Sequence, residues 1–152
     1  MKHFAIAFVA TCFAAEAGLS EEIAPEDVII TDDFTVVERL TETPGKPFRG
    51  LEVFIDRKRG NCVACHTNFD VEAMQFLGEI GPSLDWIGDR MKPEEIRAIL
   101  VDPKRVFGEQ TIMPAFYTTE HGARTLEEFK GKPILTAQEI EDVVAYLSEL
   151  RH

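Results

Sequence analysis

The chain contains 152 residues, a length typical of a single domain with a buried core. It carries 27 acidic and 16 basic residues, which give a formal charge of −11. This balance argues against binding to nucleic acid or to an anionic membrane, because both need clustered lysine and arginine. With 45% hydrophobic and 28% charged residues, the composition is that of a folded globular protein.

The N-terminus has the pattern of a cleavable signal peptide. Lys2 supplies a positive charge, residues 4–15 form an uncharged apolar run, and the sequence Ala-Glu-Ala at 15–17 places small side chains where a signal peptidase cuts. The run is shorter than the roughly twenty residues that cross a bilayer, so we expect no membrane insertion. A buried N-terminal helix is the alternative, and the residues before Cys12 fit a lipidation site poorly. We therefore expect a periplasmic chain from which residues 1–17 are removed.

Residues 18–49 form an N-terminal extension that a minimal helical domain would not need. They carry eight acids and three bases, together with two islands of β-branched residues at 28–30 and 36–37. Such islands tend to be covered by other apolar surface. Two interpretations are open: a solvated leader, or an arm that docks on a partner protein.

The most specific motif is Cys62-Val-Ala-Cys65-His66, the sequence of a c-type haem attachment site. Residues three apart on a helical turn share a face, so both thiols can reach the two vinyl groups of one porphyrin and form thioethers. His66 then projects over the same face as an iron ligand. A disulfide or half of a zinc site is the alternative, but zinc needs two further Cys or His ligands. The sequence therefore predicts one covalently bound haem c.

The second axial position of this haem has several candidates, of which Met113 fits best. It lies outside any helical pattern, and Pro114 keeps it extended because a residue before proline avoids the helical region. An extended loop with a thioether tip can reach the open face of the haem. Met74 is too close to the attachment turn, and Met91 before Pro93 fits a packing residue near a helix start. The remaining candidates are His121 and His152.

A proline turn at residues 81–84 follows the haem motif by fifteen residues. Proline has no N–H, so its neighbourhood leaves a carbonyl oxygen unpaired, and a ligating histidine usually donates its second ring N–H to such an acceptor. We expect the carbonyl of Pro82 to accept from His66, with a plain turn as the alternative interpretation. Trp86 is expected to line the haem or the core.

Helical patterns frame the predicted site. Apolar stripes begin near residue 50 and after Pro93, and residues 136–139 (Thr-Ala-Gln-Glu) form a capping box. The capping box precedes apolar residues at i, i+3, i+4 and i+7, which are Ile140, Val143, Val144 and Leu147. Gly50 within a helix predicts a close crossing of two helices, with Tyr146 or Phe54 in the gap. Loops are predicted at 107–110 and 117–125.

In chain order, the haem motif, proline turn, methionine loop and terminal helix resemble those of the class I c-type cytochromes over residues 50–150. Within that class the chain resembles the SoxX family, the monohaem subunits of the SoxAX cytochromes of bacterial sulfur oxidation. The segments that carry this resemblance are RGNCVACH (59–66), GPSLD (81–85), MPAF (113–116), GKPILT (131–136) and IEDVVAYL (140–147).

The resemblance implies an all-α, class I cytochrome c fold around one covalent haem c in residues 50–152, with His66 and Met113 as axial ligands. It also implies a periplasmic redox subunit that forms a heterodimer with a SoxA-like cytochrome. Together the subunits would join thiosulfate oxidatively to a cysteine of a SoxYZ-like carrier, as an L-cysteine S-thiosulfotransferase, and pass electrons to a downstream cytochrome c. This chain would supply no catalytic residue, because Cys62 and Cys65 are committed to the haem.

Two other function classes remain open. A stand-alone periplasmic shuttle to a terminal oxidase would normally show a basic docking face, whereas this acidic chain would need a basic partner. A ligand-binding haem protein would require that Met113 leave the iron open.

Overall fold

The computed structural model describes residues 22–151, so the predicted signal peptide and His152 lie outside the described residues. Within that range the all-α prediction is confirmed, since the only β contact is an isolated bridge between Glu22 and Thr41. The helices are α1 (Pro47–Ile55), α2 (Ile87–Arg90), α3 (Pro93–Val101), α4 (Pro103–Phe107) and α5 (Ala137–Glu149), with 3-10 turns at Pro25–Asp27, Cys62–Ala64 and Glu127–Phe129. In this part of the chain no helix has the length and apolar character needed to cross a membrane.

Helix α5 is the central element of the core, and its start and buried face agree with the sequence prediction. The hydroxyl of Thr136 accepts from the backbone N–H of Glu139, and the Glu139 carboxylate accepts from the N–H of Thr136, which completes the capping box. All four predicted core residues of the helix are buried: Ile140, Val143, Val144 and Leu147.

Helices α1 and α5 cross in close contact at Gly50, as predicted. A Cβ atom at Gly50 would collide with the backbone carbonyl of Asp142, so only glycine permits this approach. Beside the crossing, Phe54 and Tyr146 pack edge to face with ring centres 5.5 Å apart. Tyr146 also ties α5 to buried Asn68, whose Nδ2 donates to the tyrosine hydroxyl at 3.0 Å.

Helix α3 begins at Pro93, as predicted, whereas α4 lies partly where the sequence predicts a loop. Residue Phe107 ends α4 instead of beginning the predicted loop. The side chain of Asp102 accepts from the backbone N–H groups of Lys104 and Arg105, which satisfies the first turn of α4. The helix has five residues and no apolar period long enough to be recognised in the sequence.

Residues 22–46 of the N-terminal extension pack on α3 and α5 of their own domain, an arrangement that neither interpretation of the extension included. Val36 and Leu40 are buried, and Val28 and Ile30 are half-buried against the core. The neighbouring residues Ile29 and Val37 are exposed. The β-branched islands therefore alternate inward and outward, as expected of extended chain lying on a surface.

A buried ion pair holds this segment to the helices. Arg97 on α3 donates from Nε and Nη2 to the two carboxylate oxygens of Glu141 on α5, at 2.7 and 2.9 Å. Arg97 Nη1 also donates to the carbonyl of Val36 at 2.8 Å, and Glu141 accepts from the N–H of Leu40 at 2.9 Å. We call this group the Arg97–Glu141 clasp. Because both charges are paired and also hydrogen-bonded to the extension, neither is buried without compensation.

Candidate functional site

The two cysteines of the motif lie on one tight turn that follows α1. The backbone N–H groups of Cys65 and His66 both donate to the carbonyl of Cys62, at 3.1 and 2.8 Å. Asn61 precedes the turn with φ +48°, a left-handed conformation that asparagine tolerates better than most residues. Cys62 and Cys65 are not joined in a disulfide, so both thiols are available for another covalent bond.

Desolvation by the surrounding protein raises the pKa of the Cys62 thiol to about 12. Within residues 22–151, no three Cys, His, Asp or Glu side chains are grouped as a metal site would require. The donors of a zinc site are therefore not assembled around the motif in the described chain.

The imidazole of His66 is oriented through its second ring nitrogen. Nδ1 lies 2.8 Å from the carbonyl oxygen of Pro82, the contact expected from the sequence. When Nδ1–H donates to this carbonyl, Nε2 keeps its lone pair and is the nitrogen available to a metal. The structure thus brings Cys62, Cys65, His66 and Pro82 together in one group.

A ladder of backbone hydrogen bonds holds the proline turn against the attachment turn. Its three bonds run from Gly78 N to Val63 O, from Gly81 N to Cys65 O and from Leu84 N to Thr67 O, at 2.8, 2.8 and 2.9 Å. The ring of His66 lies directly on Gly81, where a Cβ atom would collide with the imidazole. The sequence analysis did not predict this ladder. Gly78 and Gly81 are the residues that could have indicated it, because glycine permits a close approach of two backbone segments.

Met113 belongs to a second segment, the loop 108–118. Its side chain is half-buried and packs against the hydrophobic core. Phe116 anchors the loop through both of its backbone polar groups. Its N–H donates to Leu100 O and its carbonyl accepts from Leu135 N, each at 3.0 Å. Tyr117 adds a bond from its hydroxyl to the carbonyl of Ile23 at 2.7 Å, a contact that the loop predicted at 117–125 does not include.

The other candidate iron ligands occupy different environments. Met74 is exposed, and Met91 directly follows α2 with its side chain packed against the core, as expected for a packing residue. The Nε2 atom of His121 lies 2.8 Å from the carbonyl oxygen of Lys132, which engages that nitrogen.

The chemistry of these donors fits a covalently bound haem. Two thiols, an imidazole with an available Nε2 and a thioether are the donor set of a c-type haem. The segments around them carry large apolar side chains that are exposed, namely Phe69, Met74, Phe76, Ile80, Trp86 and Ile112. Exposed apolar surface of this extent is typical of a site that packs against an apolar group.

Comparison with known proteins agrees with this donor set. Residues 49–151 match the family model for cytochrome c. Among solved structures, a chain of the crystal structure of SoxXA from P. pantotrophus is 40% identical, with a TM-score of 0.78, and the match covers 86% of this chain and 99% of that chain. No curated protein matches. The chain therefore belongs to the cytochrome c family of electron-transfer proteins with covalently bound haem c, and within it to the SoxX family.

Proposed function

We propose that the chain is the electron-transfer subunit of a periplasmic, SoxAX-like enzyme of sulfur oxidation. The observation that carries the proposal is the 40% identity to a chain of SoxXA over 99% of that chain's length. A match that covers 86% of this chain extends beyond the haem domain, since residues 50–152 make up about two thirds of the 152 residues. The proposed partner is accordingly a SoxA-like cytochrome, with which the chain forms a heterodimer.

Four residues would hold one haem in the proposed site: Cys62 and Cys65 through thioether bonds, and His66 and Met113 as iron ligands. When bound, the haem supplies one-electron redox chemistry. The carbonyl of Pro82 holds the Nδ1 proton of His66 and so fixes the rotation of the ring and presents Nε2 to the iron. The exposed apolar side chains around the donors would exclude water where they pack against the haem, and exclusion of water favours the state of lower charge.

The reaction proposed for the whole complex joins thiosulfate to a cysteine of a SoxYZ-like carrier. A sulfur–sulfur bond forms between the terminal sulfur of thiosulfate and the carrier thiolate, giving a cysteine S-thiosulfonate, and two electrons are released. In this chain Cys62 and Cys65 are haem anchors, and Cys12 lies in the predicted signal peptide. Bond formation therefore belongs to the SoxA-like partner, while this chain accepts the electrons singly and passes them to a downstream cytochrome c.

Reconstitution tests the assignment to a SoxAX-like enzyme. We expect the chain, purified natively from its host, to carry a second c-type cytochrome with it. The isolated chain should be reduced and reoxidised reversibly but should not couple thiosulfate to the carrier, and addition of the partner should restore turnover. Turnover by the isolated chain, with the partner shown to be absent by mass spectrometry, would contradict the proposal, and purification without any partner would favour the stand-alone shuttle.

Intact-mass measurement tests the haem itself. After extraction with acidified acetone, the chain should begin near Gly18 and retain the mass of one haem, with no cysteine open to alkylation. The double variant Cys62→Ala/Cys65→Ala is the matched control and should lose the haem on extraction. Release of the haem from the unaltered chain would refute thioether attachment.

A further inference from the structure

Tyr117 connects the N-terminal extension to the loop that carries Met113. Its hydroxyl donates to the carbonyl of Ile23 at 2.7 Å, and its side chain is 4% exposed. Burial, with smaller contributions from Glu22 and Glu26, raises the pKa of Tyr117 to about 12. The hydroxyl is therefore protonated, and able to donate, throughout the neutral pH range.

The acceptor of this bond is itself fixed to the body of the domain. The N–H of Ile23 donates to the carbonyl of Leu40 at 2.9 Å, and the N–H of Leu40 donates to Glu141 at 2.9 Å. Glu141 belongs to the Arg97–Glu141 clasp, whose two side chains are 5% and 3% exposed. Hydrogen bonds thus run without a break from a buried ion pair, through Leu40 and Ile23, to Tyr117.

The two sides of Met113 are anchored unequally. On the C-terminal side, Phe116 is held by two backbone bonds and Tyr117 by its hydroxyl. On the N-terminal side, the bonds are long, at 3.4 Å from Met113 N to the hydroxyl of Thr111 and 3.2 Å from Thr111 N to Gly108 O. The position of Met113 therefore depends mainly on the residues that follow it.

We propose that residues 22–46 are a brace for the methionine loop, and that Tyr117 is the positioning residue through which the brace holds Met113 at the haem iron. The inference rests on the proposed axial role of Met113. Without the tyrosine hydroxyl, the loop opens more often, and Met113 leaves the iron for a larger fraction of the time. An external ligand that competes with Met113 then binds with higher apparent affinity.

Titration of the haem-loaded protein with imidazole, followed by absorption spectroscopy, tests the brace. We expect Tyr117→Phe to lower the imidazole concentration at half saturation about five- to tenfold, the effect of one lost hydrogen bond on the open fraction of the loop. The second tyrosine of the chain provides the matched control, since Tyr146→Phe also removes one buried hydroxyl but one bonded to Asn68. Its half-saturation should stay within about twofold of the unaltered protein. Equal half-saturation in Tyr117→Phe and the unaltered protein would overturn the proposal.

A double-mutant cycle separates the brace from local packing of the tyrosine ring. The variant Arg97→Met/Glu141→Leu removes both charges of the clasp, so neither is left buried alone. This background removes the hydrogen bonds of the clasp to Val36 and Leu40, so Tyr117→Phe should change imidazole binding by less than about twofold. An undiminished effect of Tyr117→Phe would show that the residue acts locally and would refute the role of the extension.

Hydrogen–deuterium exchange gives a second readout that does not depend on the clasp variant. Exchange in residues 111–118 should be faster in Tyr117→Phe than in Tyr146→Phe, whereas equal rates would count against the brace. Failure of the underlying assignment has a different signature. If Met113 is not a ligand, Met113→Ala keeps the ferric absorption spectrum of the unaltered protein.

Discussion

The histidine side and the methionine side of the candidate site are built in different ways. His66 is held by the carbonyl of Pro82, by contact with Gly81 and by three backbone bonds between two neighbouring turns. Met113 lies in a loop whose firm anchors, Phe116 and Tyr117, are three and four residues away. One proposed ligand is fixed by its immediate surroundings, and the other by a distant support.

This difference indicates where the site can change. A side chain restrained by several short bonds rarely leaves its position, whereas a loop with few close restraints opens at lower cost. Exchange of an axial ligand, by a small molecule or during assembly of the site, is therefore expected on the methionine side. Two kinds of substitution test this comparison. A bulkier residue next to His66 should disturb the histidine side by steric clash, and removal of the bonds that anchor the loop should disturb the methionine side.

The largest effect is expected from Gly81→Ala, which acts directly on the histidine side. The new Cβ atom would collide with the imidazole of His66, so the ring or the turn must move and the bond to Pro82 is broken. We expect most molecules to lose the low-spin spectrum of a six-coordinate haem, or to fail to retain haem at all. Absorption spectroscopy of the purified protein measures this loss.

Gly122→Ala is the control for this substitution. Gly122 has φ +84°, and a Cβ atom added there would meet no neighbouring atom within 4 Å. Alanine therefore strains the backbone by about 1–2 kcal/mol without touching His66. The spectrum of this variant should be normal. A normal spectrum in Gly81→Ala as well would show that the histidine side is more adaptable than the contacts indicate.

The second effect is expected from Met113→His, which replaces a weak thioether donor by an imidazole. The stronger donor stabilises the ferric state, so the reduction potential should fall by more than about 59 mV, a tenfold change in the ratio of reduced to oxidised protein. Spectroelectrochemical titration measures the potential. Met91→Leu is the control and should leave it unchanged, and the reverse pattern would assign the ligand to Met91.

Most of the fold and the histidine side could be predicted because their determinants are close together in the sequence. The capping box at Thr136 and the apolar face of α5 repeat within a few residues, and Gly50 marks the helix crossing without reference to any distant segment. The attachment motif likewise contains both proposed anchors and one proposed axial ligand. Such local patterns can be interpreted without knowing how distant parts of the chain fold.

The support of the methionine side could not be predicted in the same way. The bond between Tyr117 and Ile23 joins residues 94 positions apart, and the clasp joins Arg97 to Glu141 across 44 positions. No spacing rule connects such residues, and a buried charge on an amphipathic helix is indistinguishable in the sequence from a solvated one. For the same reason the packing of residues 22–46 on their own domain was outside both interpretations of the extension.

A smaller effect is expected from Tyr146→Phe, which removes the hydrogen bond that links α5 to Asn68 near the histidine side. Loss of its bond with Asn68 should lower the free energy of unfolding by about 0.5–1.5 kcal/mol, measured by denaturant titration. The haem spectrum should be unaltered, because Pro82 and the backbone ladder still hold His66. A changed spectrum together with unchanged stability would place Tyr146 among the residues that position the ligand.

The smallest effect concerns Asp56, at the surface between α1 and the attachment turn. The N–H of Lys58 donates to its carboxylate at 2.9 Å and Arg59 donates at 2.7 Å, and these bonds hold its pKa below the ordinary value of 3.8. Arg59 also contacts Glu139 of α5 at 3.0 Å, so this carboxylate is part of a link between the turn and the last helix. Because folding favours the ionised form, the stabilisation is fully present above pH about 3.8 and disappears as the pH falls through the lowered pKa.

Asp56→Asn isolates this charge, because the asparagine oxygen can still accept from Lys58. We expect the unaltered protein to be slightly more stable than Asp56→Asn near neutral pH, with the difference disappearing as the pH falls through the lowered pKa of Asp56. Denaturant midpoints of the two proteins, measured side by side over this range, test the prediction, and effects of acid on the iron ligands cancel in the comparison. A difference in stability that persists or grows in acid would mean that Asp56 stabilises the turn through its shape and hydrogen bonds. Its charge would then not contribute to the stability of the histidine side.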